Sequence, residues 1–425
     1  MESSVQPSAH QQTEALVEHF FRHEFGKVIA HLTRTFGTSN IEIIEDAVQD
    51  ALYKAMQVWP YKEVPDNPSG WIIRVAKNKV IDVLRHNSNQ QKVTVDTVAL
   101  EADTDNHEVT LDSELKDDQL RLFFACCQPD LTVESQIILT LKLLCGFSRT
   151  EISRALLKNE DAIAKAFTRA RSKMKESAVA LEVPQGPGLQ SRLEVVLKVL
   201  YLLFNEGYKA AQGEDLIRED LCEEAMRLCE LLTDHPHCSL PEVHALMALM
   251  CFQSSRFATR LAADGALLTL DQQDRTAWNQ ELIQLGNVHM ARSISGVRIT
   301  EYHIQARIAY HYSNAISYEK TNWEQILQLY DLMLRSTPSP VARLNRLVVY
   351  SKVHGATAAL QAFHELKSDK KLSNYHLTHA IEGELLKDSG NTAAAGKAFD
   401  QAIALAQNAT EKAFLVKKRE ALTNS

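Results

Sequence analysis

Through most of the chain, apolar residues recur three and four positions apart, the spacing that gives a helix one buried face. In "NPSGWIIRVAKNKVIDVLRH", Asn67 to His86, such a face is formed by Ile72, Ile73, Ala76, Val80, Val83 and Leu84. Asn67 suits the N-cap, and Pro68 fits the first helical position, where its missing N–H leaves no bond unmade. Arg74, Asn78, Asp82 and Arg85 recur on the opposite face, with Lys77 and Lys79 at its edges. A solvated surface accounts for that stripe as well as a binding surface does. Alternating β-branched patterns are rare, and glycine and proline gather at junctions. The pattern predicts an all-α protein.

A second pattern is more restrictive. In "GFSRTEISRALLKNEDAIAKAFTRARSKMKE", Ser148 and Glu151 have the spacing of a capping box, and the helix they start buries Ile152, Ala155 and Leu156. A tight turn through Leu157 and Lys158 reaches Asn159, the predicted N-cap of a helix burying Ile163, Ala166, Phe167, Ala170 and Met174. Two such helices make a helix-turn-helix. Its outer surface carries Arg149, Arg154, Lys158, Lys165, Arg169, Arg171, Lys173 and Lys175 against Glu151, Glu160 and Asp161. That is the footprint of phosphate contacts, although basic helical hairpins also occur without them. Lys165 and Thr168, in the half of the second helix that enters a major groove in this motif, are placed for base edges; Arg169, Arg171 and Lys173 are better placed for phosphates, and Arg149 and Lys158 complete the DNA-facing surface.

Charge and composition then divide the chain. It has 425 residues, 45% of them hydrophobic, and a net charge of −8, which by itself disfavours nucleic acid. The acid is concentrated, however: Asp96, Glu101, Asp103, Asp105, Glu108, Asp112, Glu114, Asp117 and Asp118 stand against a lone Lys116. We read a helical block over 13–90, an acidic flexible linker over 91–115, a helix-turn-helix block over 116–178, and a third helical region over 189–425 after "VPQGPG". The seven cysteines never form C-x-x-C and sit in apolar helical contexts, so buried reduced thiols are expected. No signal segment or membrane-length apolar run is evident, which predicts a cytoplasmic protein without membrane contact. The donor-rich "HPHC", His235 to Cys238, fits no zinc spacing, and no phosphate-binding loop, H-E-x-x-H or G-x-S-x-G occurs. A non-enzymatic protein with no cofactor and no metal is expected.

Together, "IEDAVQDALYKAMQVWP", the Asn67–His86 stretch, the acidic linker and the helix-turn-helix resemble an extracytoplasmic-function sigma factor of the sigma-70 family. The resemblance implies that the first domain binds core RNA polymerase and opens the −10 element of promoter DNA, and that the second reads the −35 element. Asp46, Gln49, Asp50 and Tyr53, on one face of the Ile41–Val58 helix, would then meet the polymerase, their acceptors suiting an arginine-bearing coiled coil. Arg74, Lys77, Asn78, Lys79, Asp82 and Arg85 would face −10 DNA. In this family the loop before that helix forms a pocket for a flipped base. Trp71 reads as packing beside it.

The third region resembles the subgroup with a tetratricopeptide-like C-terminal extension. Frames of that repeat recur at Ile326, Tyr330, Met333 and Pro338, at Ala359, Phe363 and Leu366, and at Gly383, Ala395, Phe399 and Ala402. Such a solenoid binds a protein or peptide partner or docks on its own chain, and the resemblance implies regulation through it. Tyr201, Phe204, Tyr208 and Trp278 read as packing core. Two other classes stay open: a stand-alone helix-turn-helix regulator with a tetratricopeptide-like partner-binding domain, and a scaffold whose N-terminal helices are incidental.

Overall fold

The computed structural model describes residues 24–59, 61–62, 64–91, 108–156, 158–176, 180–208, 218–262, 265–336, 338–366, 372–373, 375–406 and 408–422. It is all-α, as the pattern requires; among the described residues the only β pairing is an isolated bridge between Leu261 and Leu267. The chain divides into two compact units, 1–199 and 200–425.

In the first unit, α1 spans 24–36, followed by α2 (Ile41–Val58) and α3 (Pro68–Gln91). Val28, Ile29 and Leu32 of α1, Ile44, Val48 and Ala51 of α2, and Ile72, Ala76 and Val80 of α3 are all fully buried, and α2 packs on α3. Asn67 caps α3 as expected, accepting the Gly70 N–H at 2.8 Å. Then come α4 (Glu108–Cys126), α5 (Val133–Leu143), α6 (Arg149–Leu156) and α7 (Glu160–Glu176). α4 begins at Glu108, so the stretch 108–115 is helical and not the flexible linker its acidity suggested. The physical reason lies further along the helix, where Leu115, Leu120, Phe123 and Phe124 are buried and hold it in the core. The rest of that linker, 92–107, and the start of the first block, 13–23, lie outside the described residues.

The two N-terminal blocks pack together. A Cβ on Gly26 of α1 would lie 1.9 Å from the Leu144 carbonyl oxygen just past α5, so only glycine permits this approach.

α8 (Pro187–Tyr208) starts inside the "VPQGPG" junction, slightly before residue 189, and leads into the second unit. There α9 (Glu219–Asp234), α11 (Gln280–Ser293) and α12 (Glu301–Ser313) pack around α10 (Pro241–Ser254), which is buried along nearly its whole length. α11 comes close because Gly286 has no side chain; a Cβ there would lie 2.6 Å from the Phe252 ring. The remaining helices are α13 (Trp323–Ser336), α14 (Pro340–His354), α15 (Ala356–Leu366), α16 (His376–Asp388), α17 (Thr392–Leu405) and α18 (Ala409–Ala421). Each packs chiefly on its sequence neighbours. Their cores run in series: Ile304, Ile326 and Val349, then Leu347, Phe363 and Leu385, then Ala395, Phe399 and Leu415. Stacking in which each hairpin completes its neighbour's core is how short helices gain stability they lack alone.

Candidate functional site

On α2, burial of Ile41, Ile44, Val48 and Leu52 turns the opposite side outward. Asp46, Gln49, Asp50 and Tyr53 are exposed there, with Tyr53 62% accessible. A single exposed ring is ordinary on a protein surface, so the face is defined by its exposed acceptors as much as by Tyr53. On α3, Arg74, Asn78, Lys79, Asp82 and Arg85 are exposed and Lys77 is half-buried, so the predicted stripe exists as a surface. Lys79 pairs with Asp50 at 3.3 Å, linking the two surfaces. Trp71 packs edge-on against buried Trp59 with centroids 5.6 Å apart, in keeping with its reading as packing. Tyr61, in the preceding loop, is 88% exposed.

The second surface is built by the caps. Ser148 and Glu151 satisfy each other's backbone: the Ser148 N–H donates to Glu151 Oε2 at 2.7 Å, and the Glu151 N–H to Ser148 Oγ at 3.2 Å. Asn159 Oδ1 accepts the Ala162 N–H at 2.7 Å and starts α7. Ile152, Ile163, Phe167, Ala170 and Met174 are buried as predicted, while Leu156 and Ala166 are half-exposed. Arg149, Lys158, Lys165, Thr168, Arg169 and Lys173 are exposed. Several already have protein partners. Thr168 Oγ1 donates to the Ala164 carbonyl at 2.9 Å, Lys158 pairs with Glu134 at 2.7 Å, and Lys173 donates to the Asp130 carbonyl.

Arg171 departs most from a free phosphate contact. Its guanidinium meets Glu42 at 2.6 Å and Glu45 at 3.6 Å, both on α2, and stands over the Phe167 ring. Glu45 is buried and also faces Lys142 at 3.4 Å; burial raises its pKa, and Lys142 and Arg171 partly offset that. A matching anchor joins α1 to α4. The Asp118 carboxylate, 1% exposed, accepts from His31 and Arg34 at 3.2 Å each and from Arg121 at 3.4 Å.

Sequence reasoning passed over these carboxylates. Glu45 had a visible signal, since it falls on the apolar stripe of Ile41, Ile44 and Val48, where an acid needs a partner. Asp118 had none, being one acid in an acidic run.

Residues 20–90 match the family described as sigma-70 region 2. This segment belongs to the sigma-70 family. All the residues assigned to the polymerase and the −10 element fall inside that match, on the helices just described. The chain also shares a family with an uncharacterized protein of Rhizobium meliloti (strain 1021). The two are 37% identical over 381 residues, covering 88% of this chain and 89% of the relative. Residues 192–294 match a family of unknown function, DUF6596. No solved structure matches. The helix-turn-helix, and the last helices from α12 onward, lie outside both matched segments.

The seven cysteines are buried and in no disulfide, and burial pushes the Cys127, Cys238 and Cys251 thiols up to about 12, which keeps them protonated and unreactive. Among the described residues no helix is long and apolar enough to cross a membrane.

Proposed function

We propose that this protein is an alternative sigma factor of the extracytoplasmic-function type. The exposed face of Asp46, Gln49, Asp50 and Tyr53 binds core RNA polymerase. The stripe of Arg74, Lys77, Asn78, Lys79, Asp82 and Arg85 faces the −10 DNA, and Lys165, Thr168 and their basic neighbours on the helix-turn-helix read the −35 element. The C-terminal helical hairpins are a tetratricopeptide-like extension that regulates this activity. It acts in the cytoplasm and is not an enzyme.

The observation that carries the reading is the region 2 match over 20–90 together with the outward placement of both charged faces within it. The capped helix-turn-helix that follows supports the two-element promoter reading. Arg171 contributes to −35 binding only after it leaves Glu42 and Glu45, so promoter engagement requires the two N-terminal blocks to separate at that contact. Co-purification with bacterial core polymerase tests the assignment. The wild-type chain should be retained and Asp50→Lys lost; equal retention of both would remove the α2 face from the interface.

A further inference from the structure

Within the segment matching the family of unknown function, three arginines converge with no carboxylate at ion-pair distance among the described residues. Arg256 follows α10, Arg260 lies in the next turn, and Arg275 opens a short 3-10 turn, Arg275–Ala277. None of the three is at ion-pair distance from a carboxylate among the described residues. Asp271, Glu319 and Glu411 are the acids that act on this neighbourhood from a greater distance.

The arginines are held by neutral groups. Arg256 donates to the Tyr208 hydroxyl at 2.5 Å and to Gln273 Oε1 at 3.4 Å. Arg260 donates to the Tyr208 carbonyl at 2.7 Å and lies 4.2 Å from that ring's centroid. Arg275 donates one nitrogen to the Tyr312 and Ala315 carbonyls at 2.6 and 2.9 Å. Arg275 and Arg256 both stand against Trp278, their Cζ atoms 4.6 and 5.9 Å from its centroid. Burial, and then the charge on Arg256, pull the Arg275 pKa down, so the two cations repel each other.

Two donors at this place are unused. Among the described residues Arg275 Nη2 and the Trp278 indole Nε1 are buried with no hydrogen-bond acceptor, and Trp278 is 3% exposed. Arg256 and Arg275 retain accessible surface. Like charges brought together and short of acceptors are unfavourable unless something supplies both negative charge and lone pairs. A planar guanidinium fork on an aromatic face is suited to a carboxylate or phosphate.

We propose that Arg256, Arg275 and the Trp278 indole form an anion site that takes an oxyanion group, either a phosphate or a carboxylate. The site lies far in sequence from the promoter-binding helices, and its occupancy is a second input to the chain, distinct from polymerase and DNA.

The experiment is thermal unfolding of the full chain, titrated in separate arms with inorganic phosphate and with acetate, at ionic strength held constant with chloride. Wild type should gain stability in a saturable way. A response to phosphate alone would assign a phosphate group, and a response to acetate alone a carboxylate. Arg256→Gln should be at least as stable as wild type without added anion, because it relieves repulsion, and its apparent anion affinity should fall at least about tenfold. Trp278→Phe keeps the stacked ring and removes the N–H; it should fold normally and bind roughly three- to tenfold more weakly. The proposal is overturned if wild type shows no saturable response in either arm, or if Arg256→Gln and Trp278→Phe respond as wild type does.

Discussion

In the N-terminal unit Arg34, Lys79, Lys158 and Arg171 each reach a carboxylate, whereas in the C-terminal unit Arg256, Arg260 and Arg275 gather against Tyr208 and Trp278 with no carboxylate in ion-pair range among the described residues. The first arrangement is internally balanced. Its acids stand in for partners the cations would otherwise seek, and the chain gains a compact packing of its two N-terminal blocks. The second arrangement lacks that balance among the described residues, and it is there that the anion site is proposed. The contrast teaches that burial alone does not identify a functional cation; what distinguishes the two regions is whether the protein supplies the counterion itself.

Removing an internal counterion should show the largest effect. Asp118→Ala leaves His31, Arg34 and Arg121 facing a buried void in place of a carboxylate, and should cost about 3 kcal/mol in urea denaturation. A loss under about 1 kcal/mol would mean that the anchor between α1 and α4 is not what holds the two blocks together.

Acid should weaken the C-terminal unit through a different pair. His244 and His289 meet through their Nδ1 atoms at 2.9 Å, so one imidazole donates and the other accepts, while Ser239 Oγ lies 3.0 Å from His244 Nε2. Burial, then the charges of His244 and Arg292, lower the His289 pKa from 6.5 to about 4, with Asp234 opposing. Between these values the unfolded chain binds a proton that the folded chain refuses. Stability from this site is therefore complete above pH 6.5 and is lost as pH falls toward 4. His289→Gln should flatten that part of the stability–pH curve, and an unchanged slope would shift the cause elsewhere.

Smaller effects sharpen the picture of the balanced unit. Ser148→Ala removes one half of the capping box and should cost about 1 kcal/mol, read as earlier amide exchange in α6. Asp50→Lys should change stability by less than about 0.5 kcal/mol, since the Lys79–Asp50 pair it breaks is exposed on both sides. Its effect belongs to binding, so a marked stability loss would make the polymerase result uninterpretable as an interface effect.

The capped helices were legible because their signals are local. Asn67, Ser148 with Glu151, and Asn159 announce helix starts through bonds spanning three residues, and the structure contains each of them. The apolar faces of α3 and α7 were legible from spacing for the same reason. The start of α4 was not, because helix formation there is decided by Leu115, Phe123 and Phe124 burying themselves in tertiary contacts, against a polar composition that reads as linker. The ties of Arg171 to Glu42 and Glu45 are remote in sequence and leave no periodic trace. The arginine cluster was likewise hidden: Tyr208, Arg256, Arg275 and Trp278 converge only in the fold, and Trp278 reads as core because its ring is core while its indole N–H is left over.

Transcription by core polymerase from a randomised promoter pool tests the central claim most directly, comparing the full chain with Asp50→Lys. Transcripts are expected from a narrow set of promoters sharing −10 and −35 elements, dependent on the wild-type chain and absent with the variant. No selective transcripts with wild type, under conditions where a known sigma factor supplies them, would contradict that claim and leave a stand-alone DNA-binding regulator as the better reading.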